Sequence, residues 1–193
     1  MGISTRLVGL AVTLVVGGVV QEGFAQEKPT LVGIRLSQRV DVPGWALRQA
    51  QNIVSSVYAR AGVEIVWADG PDRSAPIELA VIVTAHAPAT SLKSRDVLAV
   101  AIAPTQGSGR IAYAMWPRVQ AFAFAEGVSP ASVLGRVIAH EVGHLLLGQR
   151  THSNHGIMKA HWNKRDFASI GDRAAFTPEQ SIMLRQRIAE ETR

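Results

Sequence analysis

The sequence contains no cysteine. That excludes every disulfide and any lipid-bearing cysteine at a processing site, so the fold must stand on its apolar core or on a metal. It also contains no run of lysine or arginine and no interleaving of basic with aromatic residues. The formal net charge of +5 therefore supports a general attraction to acidic surfaces, and no nucleic-acid partner is expected. Long apolar runs are equally scarce. The one clear case, Leu7 to Val20, falls short of the roughly 20 residues a membrane-spanning helix needs and is stopped by Gln21 and Glu22.

What that run does have is Arg6 before it and Gly23-Phe24-Ala25 after it. A positive start, a short apolar stretch and a small-x-small end together read as a secretory signal peptide over residues 1–25, cut after Ala25. The expected location is secreted or periplasmic, with no stable membrane anchor after cleavage. Residues 26–193 show no internal repeat and no low-complexity linker, and they are the right length for one domain with a sizeable core.

Apolar periodicity predicts the elements of that domain. Leu31 to Leu36 reads as a strand, and Pro43 opens a helix whose apolar positions (Ala46, Leu47, Ala50, Ile53, Val54, Val57, Tyr58) recur every three or four residues until Gly62. Val63 to Trp67, Ile77 to Val83, Val97 to Ala103 and Arg110 to Trp116 read as four further strands, with Pro104 to Gly109 a turn. Ser129 is placed to cap a helix that Pro130 starts and that runs to Leu147, apolar on almost every side and hence central. Thr177-Pro178-Glu179-Gln180 fits a capping box opening a last helix. The expected class is α+β, a mixed sheet in which the first strand-helix-strand unit is parallel and later short turns allow antiparallel pairing.

The central helix carries the chemistry. His140-Glu141-Val142-Gly143-His144 puts two imidazoles four residues apart on one helical face, where they can share a metal ion. Glu141 can reach a water on the same ion and act as its general base, the logic of the HExxH zinc peptidases. A catalytic zinc site usually takes a third protein ligand. Gly148 can end the helix and turn the chain back, which makes His152 the first candidate, with His155 and the carboxylates Asp166 and Asp172 as alternatives. His161 lies farther along the same segment, and His86 reads as a surface or structural histidine. Gly143 costs helix propensity, and close approach of a neighbouring element is its expected use.

Taken together, these residues resemble the metzincin metallopeptidases, in particular the matrixin-like pattern HExGHxxGxxHS followed by a methionine. His140, Glu141, Gly143, His144, Gly148, His152, Ser153 and Met158 match it in kind. The chain looks closer still to small secreted bacterial proteins carrying HExGHLLLG, then HSxxGIM, then a tryptophan, here Trp162. The resemblance implies a twisted mixed sheet over an active-site helix, a turn containing Met158 beneath the metal, a C-terminal helix, Zn2+ as cofactor and a peptide or protein substrate. It departs from the pattern in spacing. Arg150 stands where the third histidine would fall, so the loop to His152 is longer by two residues, and Lys159 stands where some metzincins continue toward a tyrosine donor.

The implied mechanism has Glu141 take a proton from a zinc-activated water and return it to the leaving amine, with the strand Arg110 to Trp116 as the expected edge for an extended substrate. Trp162 is expected to pack in the lower cleft. Two other readings share these residues: a metal-binding or interaction protein without turnover, and a zinc hydrolase of a non-peptide amide such as a cell-wall linkage.

Overall fold

The structure, a computed structural model, describes residues 30–68, 75–86, 88, 97–102, 110–148, 151–167 and 174–192. The expected signal peptide, the Pro104 to Gly109 turn and Asp172 lie outside the described residues. The architecture is mixed α and β. Strand β1 (Thr30–Gln38) leads into helix α1 (Gly44–Ala59) and back into β2 (Val63–Ala68), followed by β3 (Glu78–Thr84), β4 (Ala99–Ile102) and β5 (Ile111–Met115). Helices α2 (Trp116–Glu126), α3 (Pro130–Leu147), the single turn α4 (Lys164–Phe167) and α5 (Pro178–Glu191) complete the order.

The five strands lie in the order β2-β1-β3-β5-β4. β1 pairs in parallel with both β2 and β3, and β3 pairs in parallel with β5. Only β4 runs antiparallel, with Ala99 opposite Ala114 and Ala101 opposite Ala112. The edge next to the histidine helix is therefore β4 and not the stretch Arg110 to Trp116, which is the inner neighbour of that edge. That stretch is also shorter than its apolar content suggests. Trp116 leaves the sheet to start α2, a helix absent from the sequence-based reading, with Pro117 in its first turn and Gly127 closing it at φ 63°.

Helix packing follows the expected spacing. Ala46, Ala50, Val54 and Val57 form the buried stripe of α1, which packs on α3. From Ala131 to Leu147 every residue of α3 is buried except Ser132 and Glu141. A helix apolar on all sides has to be enclosed, and α3 packs against α1, α2, α5 and the β4–β5 end of the sheet. Tyr58 of α1, fully buried, donates its phenol to the carbonyl of Ala139 at 3.0 Å and so fixes α3 one residue before His140. Ser129 occupies the N-cap of α3 in extended backbone, but its side chain makes no capping hydrogen bond.

Candidate metal centre

His140 and His144 project from adjacent turns of α3, and Gly148 ends that helix with its N–H on the His144 carbonyl at 2.9 Å. Gly148 sits at φ 100°, a backbone state that a side chain disfavours, and from there the chain turns back. His152 arrives at the same point despite the two extra residues. The Nε2 of His144 lies 3.0 Å from Nε2 of His140 and 3.0 Å from Nε2 of His152.

The other ring nitrogens decide what those short distances mean. Nδ1 of His140 meets the Ile157 carbonyl at 2.8 Å, and Nδ1 of His144 meets the Gly148 carbonyl at 3.3 Å. A carbonyl only accepts, so both Nδ1 atoms carry the proton and both Nε2 atoms present lone pairs. Two lone pairs facing each other at 3.0 Å have no proton to share. A cation between them removes the repulsion, and a tetrahedral ion with Zn–N bonds of about 2.0–2.1 Å spaces its ligands at about 3.3 Å. The three histidines thus form a donor set that could hold a metal ion, their ligand atoms all within 4.8 Å of one another, with the tautomer fixed at His140 and His144. The Ile157 and Gly148 carbonyls orient the rings in the manner typical of groups just outside a metal's ligands.

The electrostatics suit a cation ligand set. Burial pushes the His140 imidazole down to about 4, with the neighbouring His144 and His152 lowering it further and the Ile157 carbonyl working against them. Burial likewise lowers His144. Both therefore stay neutral near pH 7, the form that donates to a metal. Glu141, one of the two residues from Ala131 to Leu147 short of full burial, is raised to about 7 by loss of solvent, opposed by a hydrogen bond from the Ala101 backbone N–H of β4. Its carboxyl opens on the same cleft as the histidines, about 660 Å³ in volume and walled by Val97 to Ala101, Phe122, Val137 and Trp162. Trp162 packs on the His140 ring in a T-shaped pair, 5.3 Å between centroids, which is the packing role expected of it.

Met158 is fully buried and its sulfur fills the space beside Gly143. A Cβ built on Gly143 would lie 2.5 Å from that sulfur, so close approach accounts for the glycine. The turn holding Met158 is tied on both sides. Ser153 N–H donates to the Met158 carbonyl at 3.0 Å, and Ile157 N–H donates to the Ala175 carbonyl at 2.9 Å.

Of the alternative third ligands, His155 is exposed and outside the cluster. Asp166 is engaged elsewhere, its carboxylate on Lys159 at 2.8 Å and on the Asn163 N–H at 2.8 Å. His161 is exposed at the cleft rim, and His86 is exposed on the surface. Sequence reasoning missed the carbonyl of Ile157, the N–H of Ala101 and the side chain of Gln180 as parts of the site. The first two are backbone groups with no sequence signature, while Gln180 is visible in sequence only as a helix cap. No protein-family model matches the sequence, and no curated protein matches it at a significant level.

Proposed function

We propose that the protein is an exported, metzincin-like zinc metallopeptidase. The observation that carries this reading is the convergence of three Nε2 atoms on one point, two of them with tautomers fixed by carbonyls, in a cleft that Glu141 also lines. Three histidines and no thiolate suit zinc among the common divalent metals. The turn with Met158 beneath Gly143 and the antiparallel edge β4 flanking the cleft add support from the fold. A zinc ion held there would supply Lewis acidity, polarising a carbonyl and lowering the pKa of a water at the site to about 7.

The chain's own residues do the rest. His140, His144 and His152 would hold the ion through their Nε2 atoms. Glu141 accepts a proton from the attacking water and delivers it to the departing amine, the general-base and general-acid roles open to a carboxyl that lines the same cleft. The outer edge of β4 offers main-chain groups to an extended peptide, while Leu98, Phe122, Val137 and Trp162 exclude water around the scissile bond. Export follows from the signal-peptide reading of residues 1–25, and among the described residues no helix is long and apolar enough to cross a membrane.

A metal-binding protein without turnover is the second reading. It is favoured by Lys159 after Met158, paired with Asp166 at the place from which a tyrosine donor would come. The deciding experiment is metal content together with zinc-dependent cleavage of a broad peptide library by residues 26–193. One zinc per chain, loss to chelators and cleavage restored by zinc support the peptidase. One zinc per chain with no cleavage of any peptide supports binding alone.

A further inference from the structure

We infer that Gln180 is a positioning residue for the metal centre, fixing from the first turn of α5 the loop that carries His152. The inference rests on the metal-centre part of the reading above, and is independent of which bond is cleaved.

Gln180 is 8 % exposed, an uncommon position for an uncharged amide unless both ends are satisfied. Its Oε1 accepts from the Thr177 N–H at 3.1 Å, and its own N–H donates to Thr177 Oγ1 at 3.2 Å, completing a capping box. That motif needs only an acceptor at this position, and glutamate serves it equally well. The amide's donor end is therefore surplus to capping, and it is used across the fold. Nε2 donates to the carbonyl of Thr151 at 3.0 Å, the peptide immediately before His152.

The path continues to the helix. Thr151 Oγ1 donates to the Gly148 carbonyl at 2.7 Å, and that carbonyl also accepts from Nδ1 of His144. α5 is thus linked through Gln180, Thr151 and Gly148 to His144, and His152 hangs from the peptide that Gln180 holds. Fixing a ligand-bearing loop in advance removes ordering cost from metal binding. Losing a group that orients a ligand typically weakens metal binding by about 10–100-fold.

The test is zinc affinity by chelator competition, with thermal unfolding alongside, on the full chain and its variants. Gln180→Glu keeps the capping acceptor and loses the donor. It should still fold once zinc is removed, melting a few degrees below the parent because a carboxylate now faces the Thr151 carbonyl, and bind zinc about 10–100-fold more weakly. Thr177→Ala breaks the cap and spares the link, so it should melt a few degrees lower with zinc affinity within a few-fold of the parent. In a His152→Ala background, adding Gln180→Glu should change zinc affinity far less, because only the longer path through Gly148 to His144 remains. If Gln180→Glu does not fold, Gln180→Met set against Thr177→Ala answers the same question. Gln180→Glu binding zinc like the parent, Thr177→Ala losing as much affinity as Gln180→Glu, or an undiminished effect without His152 would each overturn the inference. A parent chain that binds no zinc would overturn the metal centre itself, and this inference with it.

Discussion

Helix α3 and the segment from Gly148 to Trp162 deliver histidines to the same point, but they hold them by different means. On α3 the positions are set locally. A four-residue spacing fixes the direction of both rings, and burial of the helix on nearly every side leaves them no freedom to move as a pair. Past Gly148 no helical periodicity sets the position of His152, and beside the short tie of Thr151 to Gly148 the structure uses long-range ones: Gln180 on Thr151, Ala175 on Ile157 and the Met158 sulfur against Gly143. A ligand placed by periodicity tolerates changes elsewhere in the fold. A ligand placed by a loop depends on whatever grips the loop.

The comparison breaks most visibly at the histidines themselves. His140→Ala with His144→Ala should abolish zinc binding, and His152→Ala should weaken it by orders of magnitude, as measured by competition with a chromophoric chelator. His155→Ala and His161→Ala should stay within a few-fold. A strong loss at His155 with little at His152 would mean that the loop reaches the metal in another register.

Truncating the loop's apolar anchor should come next in size. Met158 is fully enclosed, so Met158→Ala removes buried volume that the rigid α3 cannot collapse to fill, at a cost of about 2–5 kcal/mol in unfolding free energy. Because the anchor belongs to the loop, the extra stability that zinc confers should also shrink in this variant. Unfolding in urea with and without zinc checks both points, and an unchanged zinc increment would show that the turn does not hold His152.

The helical ligands carry the smallest of these effects, a pH dependence in the metal-free protein. His140 titrates at about 4 in the fold against an ordinary value of 6.5, so between those values the unfolded chain holds the extra proton. Its contribution to stability is complete above pH 6.5 and is lost as pH falls toward 4. Glu141 has the opposite sign. Raised from 4.5 to about 7, it stabilises below pH 4.5 and loses that contribution as pH rises toward 7. The two offset each other between pH 4.5 and 6.5. Glu141→Gln removes one side, so the chelator-treated variant should lose roughly 1–2 kcal/mol more than the parent over that fall in pH. Parallel stability curves for the two proteins would show that the groups do not titrate as their burial requires.

Local chemistry was legible in the sequence and long-range pairing was not. The stripe of α1, the length of α3, the capping box at Thr177 and the use of Gly143 all follow from spacings within a few residues, and all appear in the structure. Helix α2 was missed because Ala121 to Ala125 alternates small and aromatic residues with a period of two, although Pro117 and Gly127 mark its ends. The edge of the sheet was misplaced for a related reason. Proximity in sequence to α3 favoured Arg110 to Trp116, whereas β4 reaches the cleft by folding back on β5. The second use of Gln180 left no trace, since a hydrogen bond between residues 29 apart has no local pattern to announce it.

The measurement that bears most directly on the account is zinc-dependent peptide hydrolysis by the parent and by Glu141→Gln, side by side and both saturated with metal. Glutamine is nearly isosteric and still accepts the Ala101 N–H, yet it cannot take a proton. The account predicts a variant that folds, binds zinc with the parent's affinity and loses hydrolysis by several orders of magnitude. Hydrolysis that survives the substitution at a comparable rate would contradict it.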